Sequence, residues 1–178
     1  PGSDGVLCVD WFNGCRTPLM DGNLRGSFSG LTLNHGPEHM YRAMLEASAF
    51  GLRWIVELLR EHGVPVKKFV ATGGLPHHNS LFIEVYADVL GESILVHPSK
   101  QGPALGAAIL GAIAAGKRAG GFSSVRSAVR TMGGTKKGSP EREGRLVAPT
   151  RQNTRAYEPI YRRYREMASF LQGKLSHE

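Results

Sequence analysis

Apolar residues recur along the chain in two different spacings, and each spacing predicts a different secondary structure. Short continuous apolar runs predict strands over residues 6–12, 67–72 and 93–97. Apolar positions three and four residues apart predict helices, most of which end at a glycine. The predicted helices cover residues 37–62, 79–90, 103–115, 123–132 and 154–171.

The first of these helices has the strongest pattern. Pro37 suits the first turn of a helix and Glu38 complements the positive end of the helix dipole, while Gly63 and Pro65 stop the helix. A stripe of residues at helical spacing predicts the face that packs into the core. This stripe consists of Tyr41, Met44, Leu45, Ser48, Leu52, Ile55 and Leu59.

The element order β, α, β, α, β, α, α predicts an α/β domain with a mainly parallel sheet. Three strands are few for a sheet that is covered on both faces, so we expect the sheet to be incomplete. We predict a single domain over residues 1–178 with a core over 5–132. Within it, residues 13–33 form a turn-rich arm, the Gly- and Pro-rich segment 133–153 is a mobile loop, and 154–173 contain the C-terminal helix.

Two strand–turn–helix units in series predict a ligand site. Parallel strands place their turns side by side at one end of the sheet, where α/β folds bind ligands. The first turn contains Gly73 and Gly74, which lack a Cβ and so let the backbone approach a flat ligand closely. The helix predicted to begin at Asn79 offers N–H donors to an anion. A helix N-cap alone also explains an asparagine at this position.

Composition and charge exclude several classes of protein. The 178 residues are 41% hydrophobic, which is enough for a real core. The net charge is +7, but the basic residues are scattered without interleaved aromatics, so we expect no nucleic-acid binding. The apolar run over 104–115 is too short to cross a membrane. Cys8 and Cys15 have neither disulfide-framework nor zinc spacing, and we expect a reduced, cytoplasmic setting.

Other chemically active side chains favour structural roles. Asp21 lies in a predicted turn and Asp88 near the end of a predicted helix, so neither these residues nor Asp10 is interpreted as a catalytic base. His35 and His39 have the i, i+4 spacing of metal ligands, but no third ligand accompanies them. We therefore predict neither a catalytic residue nor a metal site in this chain.

One long motif resembles a known family. It reads Gly26-x-Phe28-x-Gly30-Leu31, then seven residues, then His39-Met40-x-x-Ala43-Met44-Leu45-Glu46. This motif resembles the second signature of the FGGY carbohydrate kinases at every defined position. Residues 11–26 resemble the arm that precedes the signature in the ribulokinase branch of the family, and residues 73–79, 86–91 and 101–108 resemble its nucleotide-side segments.

The resemblance implies a ribonuclease-H-like, actin-like ATPase fold, of which this chain is most of the second domain. Family members transfer the γ-phosphoryl group of ATP, with Mg²⁺, to a hydroxyl of a sugar or polyol. A pentulose substrate is implied, with L-ribulose favoured. The catalytic base and most sugar contacts are implied to lie in an N-terminal kinase domain of the same protein, so this chain alone is expected to be inactive.

The same resemblance assigns nucleotide contacts to individual positions. Gly73 and Gly74 correspond to backbone that lies against the adenosine, and His78 and Asn79 to positions that reach the adenine edge. His78 is equally compatible with a solvent-facing loop position. Residues 101–106 correspond to a segment that packs behind the nucleotide.

Two alternatives stay open. The chain is compatible with another pentulose or polyol kinase of this family, of the xylulose or glycerol type. Cys15, Glu84 and Lys100 depart from the ribulokinase pattern and weaken an exact assignment of the sugar. A non-catalytic binding module with the same fold, holding an acidic partner on its basic surface, is the other alternative. The sequence also leaves open whether the protein forms a homo-oligomer.

Overall fold

The computed structural model describes residues 1–133 and 144–175, the last two by their backbone alone. Its strands are β1 (Leu7–Val9), β2 (Ser27–Ser29), β3 (Phe69–Ala71), β4 (Ile94–Val96) and β5 (Arg145–Val147). Its helices are α1 (Pro37–Glu61), α2 (Leu75–His78), α3 (Ser80–Leu90), α4 (Gly102–Ala115), α5 (Val125–Met132) and α6 (Arg151–Leu175). In the described part of the chain, no helix is both long and apolar enough to cross a membrane.

The chain forms two compact units. The first consists of Pro1–Lys68, Leu81–Ser93 and Ala148–Glu178, and the second of Phe69–Ser80 and Ile94–Val147. Each unit therefore draws on chain segments that are distant in the sequence.

The core of the first unit is built around Phe50. Strand β1 is buried at all three positions and pairs antiparallel with β2, with Cys8 opposite Phe28. Phe50 of α1 lies among three tyrosine rings of α6, with centroid distances of 5.8 Å to Tyr157, 5.8 Å to Tyr161 and 5.4 Å to Tyr164. These three tyrosines of α6 are buried and therefore form part of its core face.

The face of α1 that enters the core is not the predicted one. Tyr41 is 49% exposed and Leu59 is 39% exposed, although both belong to the stripe of large side chains that the spacing assigned to the core. The buried residues of α1 are instead Ala43, Glu46, Ala47, Ala49, Phe50, Trp54 and Val56. Alanine is as often buried as larger apolar residues, and its small volume fits a site of close packing. The spacing of the large side chains therefore predicted the wrong face of α1.

The second unit contains a three-stranded sheet in the order β3-β4-β5. Strands β3 and β4 are parallel, with Phe69 opposite Ile94, and β4 and β5 are antiparallel, with Ile94 opposite Val147. The parallel pair confirms that the turns after β3 and β4 leave the sheet at the same end.

Placing all three predicted strands in one mainly parallel sheet is wrong. Strand β1 lies in the first unit, where it pairs with β2. Strands β2 and β5 occur in segments that were expected to be an irregular arm and a loop. Each has three residues, too few for the alternation of apolar and polar side chains that identifies a strand.

Helix α6 begins at Arg151, three residues before the predicted start. The carboxylate of buried Asp88 accepts hydrogen bonds from the Thr150 N–H at 2.6 Å and from the Asn153 side chain at 2.7 Å. These bonds satisfy polar groups at the beginning of the helix, which explains why it starts here. Strand β5 and the first turn of α6 thus replace part of the predicted loop over 133–153, and residues 134–143 of that loop lie outside the described residues.

Candidate functional site

The double-glycine turn of the second unit joins β3 to the four-residue helix α2. Gly73 has a φ of 92°, a left-handed conformation that favours glycine over any other residue. Gly74 has ordinary right-handed helical angles, with φ −77° and ψ −38°. The Gly74 carbonyl accepts hydrogen bonds from the N–H groups of His77 at 2.9 Å and His78 at 3.2 Å. The conformation of the turn therefore requires glycine at position 73 but not at position 74.

The space in front of this turn is open. A Cβ atom added to Gly73 would have no heavy atom within 4 Å, and one added to Gly74 would meet only Cδ2 of His78 at 3.7 Å, an ordinary contact. By contrast, a Cβ on Gly102, at the start of α4, would lie 3.2 Å from Cβ of Thr72. The beginning of α4 thus packs closely against the turn from one side, and the backbone of the two glycines stays accessible from the other.

A cavity of about 510 Å³ lies beside α2 in the same unit. Its volume is within the range of small-molecule sites in proteins. His77 donates a hydrogen bond from Nε2 to the His97 carbonyl at 2.9 Å, which holds its ring against the end of β4. The lining residues are Pro76, His77, His78, Ser80, Val96, Pro98 and Arg145.

The four residues that the sequence assigns to a nucleotide have different positions relative to this cavity. His78 is exposed and lines it. Gly73 and Gly74 form the turn that precedes α2 and are not among the lining residues. Asn79 ends α2, and its N–H donates to the Leu75 carbonyl at 3.0 Å. Helix α3 begins one residue later than predicted, at Ser80.

Arg145 is a lining residue that sequence reasoning missed. It lies in β5, and its Nη2 donates to the Pro76 carbonyl at 3.3 Å. Its segment contains many basic residues, and nothing in the pattern distinguishes this arginine from its neighbours. Only the pairing of β5 with β4, which places Arg145 opposite Val96, brings it to the cavity.

Comparison with known proteins identifies the family. A sequence model of the C-terminal domain of the FGGY family of carbohydrate kinases matches residues 1–115, which is more than half of the chain. The chain belongs to the FGGY family of carbohydrate kinases. The fold class inferred from the sequence motif is thereby confirmed.

Curated relatives of the chain include ribulokinases. The chain is 41% identical over 171 residues to the ribulokinase of Shouchella clausii, a match that covers 96% of the chain and 29% of that protein. It is 42% identical to the ribulokinase of Halalkalibacterium halodurans, a match that covers 92% of the chain and 28% of that protein. It is 36% identical to the ribulokinase of Staphylococcus aureus (strain Newman), a match that covers 94% of the chain and 29% of that protein. The chain therefore spans less than a third of the length of these relatives.

Solved structures of FGGY kinases share the fold. The xylulose kinase of Rhodospirillum rubrum has a TM-score of 0.71 at 27% identity, over 98% of this chain and 32% of that one. A glycerol kinase of Plasmodium falciparum, solved with ADP, has a TM-score of 0.63 at 23% identity, over 93% of this chain and 31% of that one. At sequence identities of 23–27%, the similarity concerns the arrangement of the backbone.

Outside the turn region, two aspartates of this FGGY chain have structural partners, as predicted. Asp21 accepts a hydrogen bond from the Asn23 N–H at 2.8 Å within a turn, and Asp88 holds the start of α6. The rings of His35 and His39 lie 5.0 Å apart, and His39 Nε2 is 3.2 Å from a carboxylate oxygen of Asp4. Among the described residues, no group of three or more His, Cys, Asp or Glu side chains is arranged to hold a metal ion.

A second cavity, of about 340 Å³, lies in the first unit between the arm and α1. It is lined by Asp10 after β1, by Cys15 of the arm, by Ser48 and Trp54 of α1 and by Tyr164 of α6, together with eight further residues. Burial raises the pKa of the Asp10 carboxyl above its ordinary value of 3.8.

Burial also raises the pKa of the Cys8 thiol to about 12, which keeps this thiol protonated and unreactive at neutral pH.

The raised pKa of Asp10 predicts a specific pH dependence of stability. Because burial penalises the charged form, Asp10 contributes progressively less to the stability of the wild-type chain as the pH rises from the unfolded-state value of 3.8 through the folded-state pKa. We expect an Asp10→Asn variant to become progressively more stable than wild type over this window. Urea unfolding of both proteins at about pH 4 and about pH 7 measures the difference. A difference that does not change with pH would contradict this prediction.

Proposed function

We propose that this chain is the nucleotide-binding, C-terminal part of an ATP-dependent ribulokinase, an enzyme that phosphorylates a hydroxyl of L-ribulose. The observation that carries the proposal is the open glycine turn at positions 73 and 74, in a chain that belongs to the FGGY kinases. Support for the ribulokinase branch comes from the names of relatives that are 36–42% identical over most of the chain. In such an enzyme, bound ATP supplies the phosphoryl group.

The residues of the second unit fit an adenine nucleotide. Gly73 and Gly74 present backbone with no side chain in front of it, so that a flat adenosine can lie against the turn. His78 and Asn79 follow at the end of α2, from where we propose that they reach the adenine edge. In this proposal the chain positions the nucleotide and does not itself move a proton.

Mg²⁺ is a further requirement of phosphoryl transfer from ATP. In the part of the chain that the structure describes, no group of three or more His, Cys, Asp or Glu side chains is arranged to hold a metal ion. We therefore derive no step through a metal held by this chain. Magnesium commonly binds through one or two carboxylates together with the substrate phosphates. We propose that such carboxylates, the catalytic base and the sugar contacts belong to an N-terminal domain of the same cytoplasmic protein.

A related sugar is the second candidate. The solved xylulose kinase of Rhodospirillum rubrum resembles the chain over nearly all its length, which favours a pentulose kinase without selecting the pentulose. A direct comparison of L-ribulose with D-xylulose, using a full-length protein that contains this chain, would decide between the two. Faster phosphorylation of D-xylulose would replace our first proposal with the second.

Nucleotide binding by the chain itself tests the proposal. We expect isothermal titration calorimetry to show weak, saturable ADP binding with a dissociation constant of about 1 mM, or roughly −4 kcal/mol, because further phosphate donors lie elsewhere in the protein. CDP is the control and should bind more weakly, since a pyrimidine fills less of a purine site. The chain alone should not phosphorylate L-ribulose. Absence of ADP binding, or turnover by the chain alone, would contradict the proposal.

A further inference from the structure

Arg145 is fixed at the wall of the cavity beside α2. Its Nη2 donates to the Pro76 carbonyl at 3.3 Å, which ties the guanidinium to the first turn of that helix. Its backbone is fixed as well, because β5 pairs antiparallel with β4 and places Arg145 opposite Val96. Both Pro76 and Val96 line the same cavity. The strand therefore places the backbone of Arg145 at the cavity, and the bond to Pro76 holds one nitrogen of the guanidinium at its wall.

The other walls of this cavity suit a flat, uncharged ring. Pro76 and Val96 are buried and Pro98 is half-buried, so three of the seven lining residues offer apolar surface. His77 and His78 add two imidazole rings. Among the described residues that line the cavity, Arg145 is the one whose side chain is always charged, and none is acidic. An aromatic ring with an electron-rich face would find apolar contacts and a cation in the same cavity.

A phosphate group fits this lining less well. Sites for the phosphates of ATP combine several N–H donors that point at the same oxygen atoms. Here Nε2 of His77 already donates to the His97 carbonyl. Arg145 keeps N–H groups beyond the one bonded to Pro76, but among the described lining residues it is a single, always-charged side chain. Proline and valine side chains donate no hydrogen bonds. The cavity therefore matches the base end of a nucleotide better than the phosphate end.

We infer that Arg145 contacts the purine base of the bound nucleotide, with its guanidinium against the face of the ring. This inference rests on the proposed function and deepens it, because it names a base-contacting residue outside the glycine turn. It also gives β5 a role in the second unit beyond completing the sheet. Arginine is suited to this contact because its planar group stacks on aromatic rings, whereas the compact ammonium of lysine does not.

The test compares adenosine with ADP as ligands. Ligand-observed NMR titrations give the affinity of each for wild type, Arg145→Ala, Arg145→Lys and the control Arg126→Ala. Arg126 is an exposed arginine of α5 in the same unit and does not line the cavity. We expect Arg145→Ala to lower the binding affinity for adenosine and for ADP by the same factor. This factor is about fivefold to tenfold, the size of a partly desolvated cation–aromatic contact. Arg145→Lys should lose nearly as much, and Arg126→Ala should bind as wild type does.

Three results would overturn the inference. If Arg145→Ala binds ADP more weakly but adenosine as wild type does, Arg145 contacts the phosphates and not the base. Unchanged affinity for both ligands in Arg145→Ala would remove Arg145 from the site and leave the proposed function standing. Wild type that binds neither ligand would end the proposed function and this inference together. If circular dichroism shows that Arg145→Ala is unfolded, Arg145→Lys decides by the same comparison of adenosine with ADP.

Discussion

Replacing Gly74 with valine is expected to remove detectable ADP binding while leaving the fold intact. The backbone angles at Gly74 are those of an ordinary helical residue, so a valine is accommodated without conformational strain. Its Cβ would meet only Cδ2 of His78 at 3.7 Å, so the protein itself offers no obstacle. The added side chain would instead occupy the open space where we propose that the adenosine lies. A loss of binding would thus report directly on ligand approach, as measured by calorimetric ADP titration.

Gly111→Val is a matched control for this variant. Gly111 lies in α4 of the same unit, and a Cβ at this position also has no heavy atom within 4 Å. Both variants therefore add the same side chain in open space, but only one adds it at the turn. We expect Gly111→Val to bind ADP as wild type does. Equal ADP affinity in Gly74→Val and wild type would refute the role of the glycine turn.

Of the substitutions proposed here, Glu46→Ala should cause the largest loss of folding stability. The Glu46 side chain is 2% exposed, and its Oε1 accepts three hydrogen bonds: from Arg42 Nε at 2.8 Å, from the Tyr157 hydroxyl at 3.0 Å and from the Gly2 N–H at 2.9 Å. Removing the carboxylate leaves three donors without their acceptor in a largely buried place. We expect the free energy of unfolding to fall by about 3–5 kcal/mol, as measured by urea denaturation.

Glu92→Ala provides the contrast to Glu46→Ala. Glu92 pairs with Arg60 at 3.0 Å in the same unit, but both side chains are more than two-fifths exposed. Exposed pairs of this kind contribute at most about 1 kcal/mol. Equal losses of stability in Glu46→Ala and Glu92→Ala would show that the buried network around Glu46 does not stabilise the fold as described.

Local signals in the sequence predicted several helix ends. The glycine after α3, Gly91, has a φ of 66°, and the glycine after α4, Gly116, has a φ of 69°. A positive φ favours glycine at both positions, which is why these helix ends could be identified from single residues. Ser124 caps α5 by accepting a hydrogen bond from the Ser127 N–H, close to the predicted start.

Features that depend on distant segments were not predictable in this way. The start of α6 depends on Asp88, which lies 62 residues before its partner Thr150. The core face of α1 depends on how closely α6 approaches, and hydrophobic spacing carries no information about that distance. Strand β5 is defined by its pairing with β4, so Arg145 could not be assigned to the cavity before the sheet was known.

The candidate site shows the same division between local and distant information. The glycines of the turn were identified from the sequence because a residue without a side chain has few interpretations at such a position. The structure adds a distinction between them, since conformation accounts for Gly73 but not for Gly74. The proposed roles of His78 and Asn79 came from a family motif, and they stay predictions until nucleotide binding is measured.

The ring cluster around Phe50 has a practical consequence for protein engineering. The family sequence model ends at residue 115, yet the three tyrosines that surround Phe50 belong to α6. A version of the protein trimmed to the matched segment would lose these rings, and burial of one such side chain contributes about 1.5–3 kcal/mol. Phe50 would then face water, and the shortened polypeptide would tend to aggregate. Expression boundaries should therefore follow the packing of the last helix, and sequence-profile limits alone would mislead.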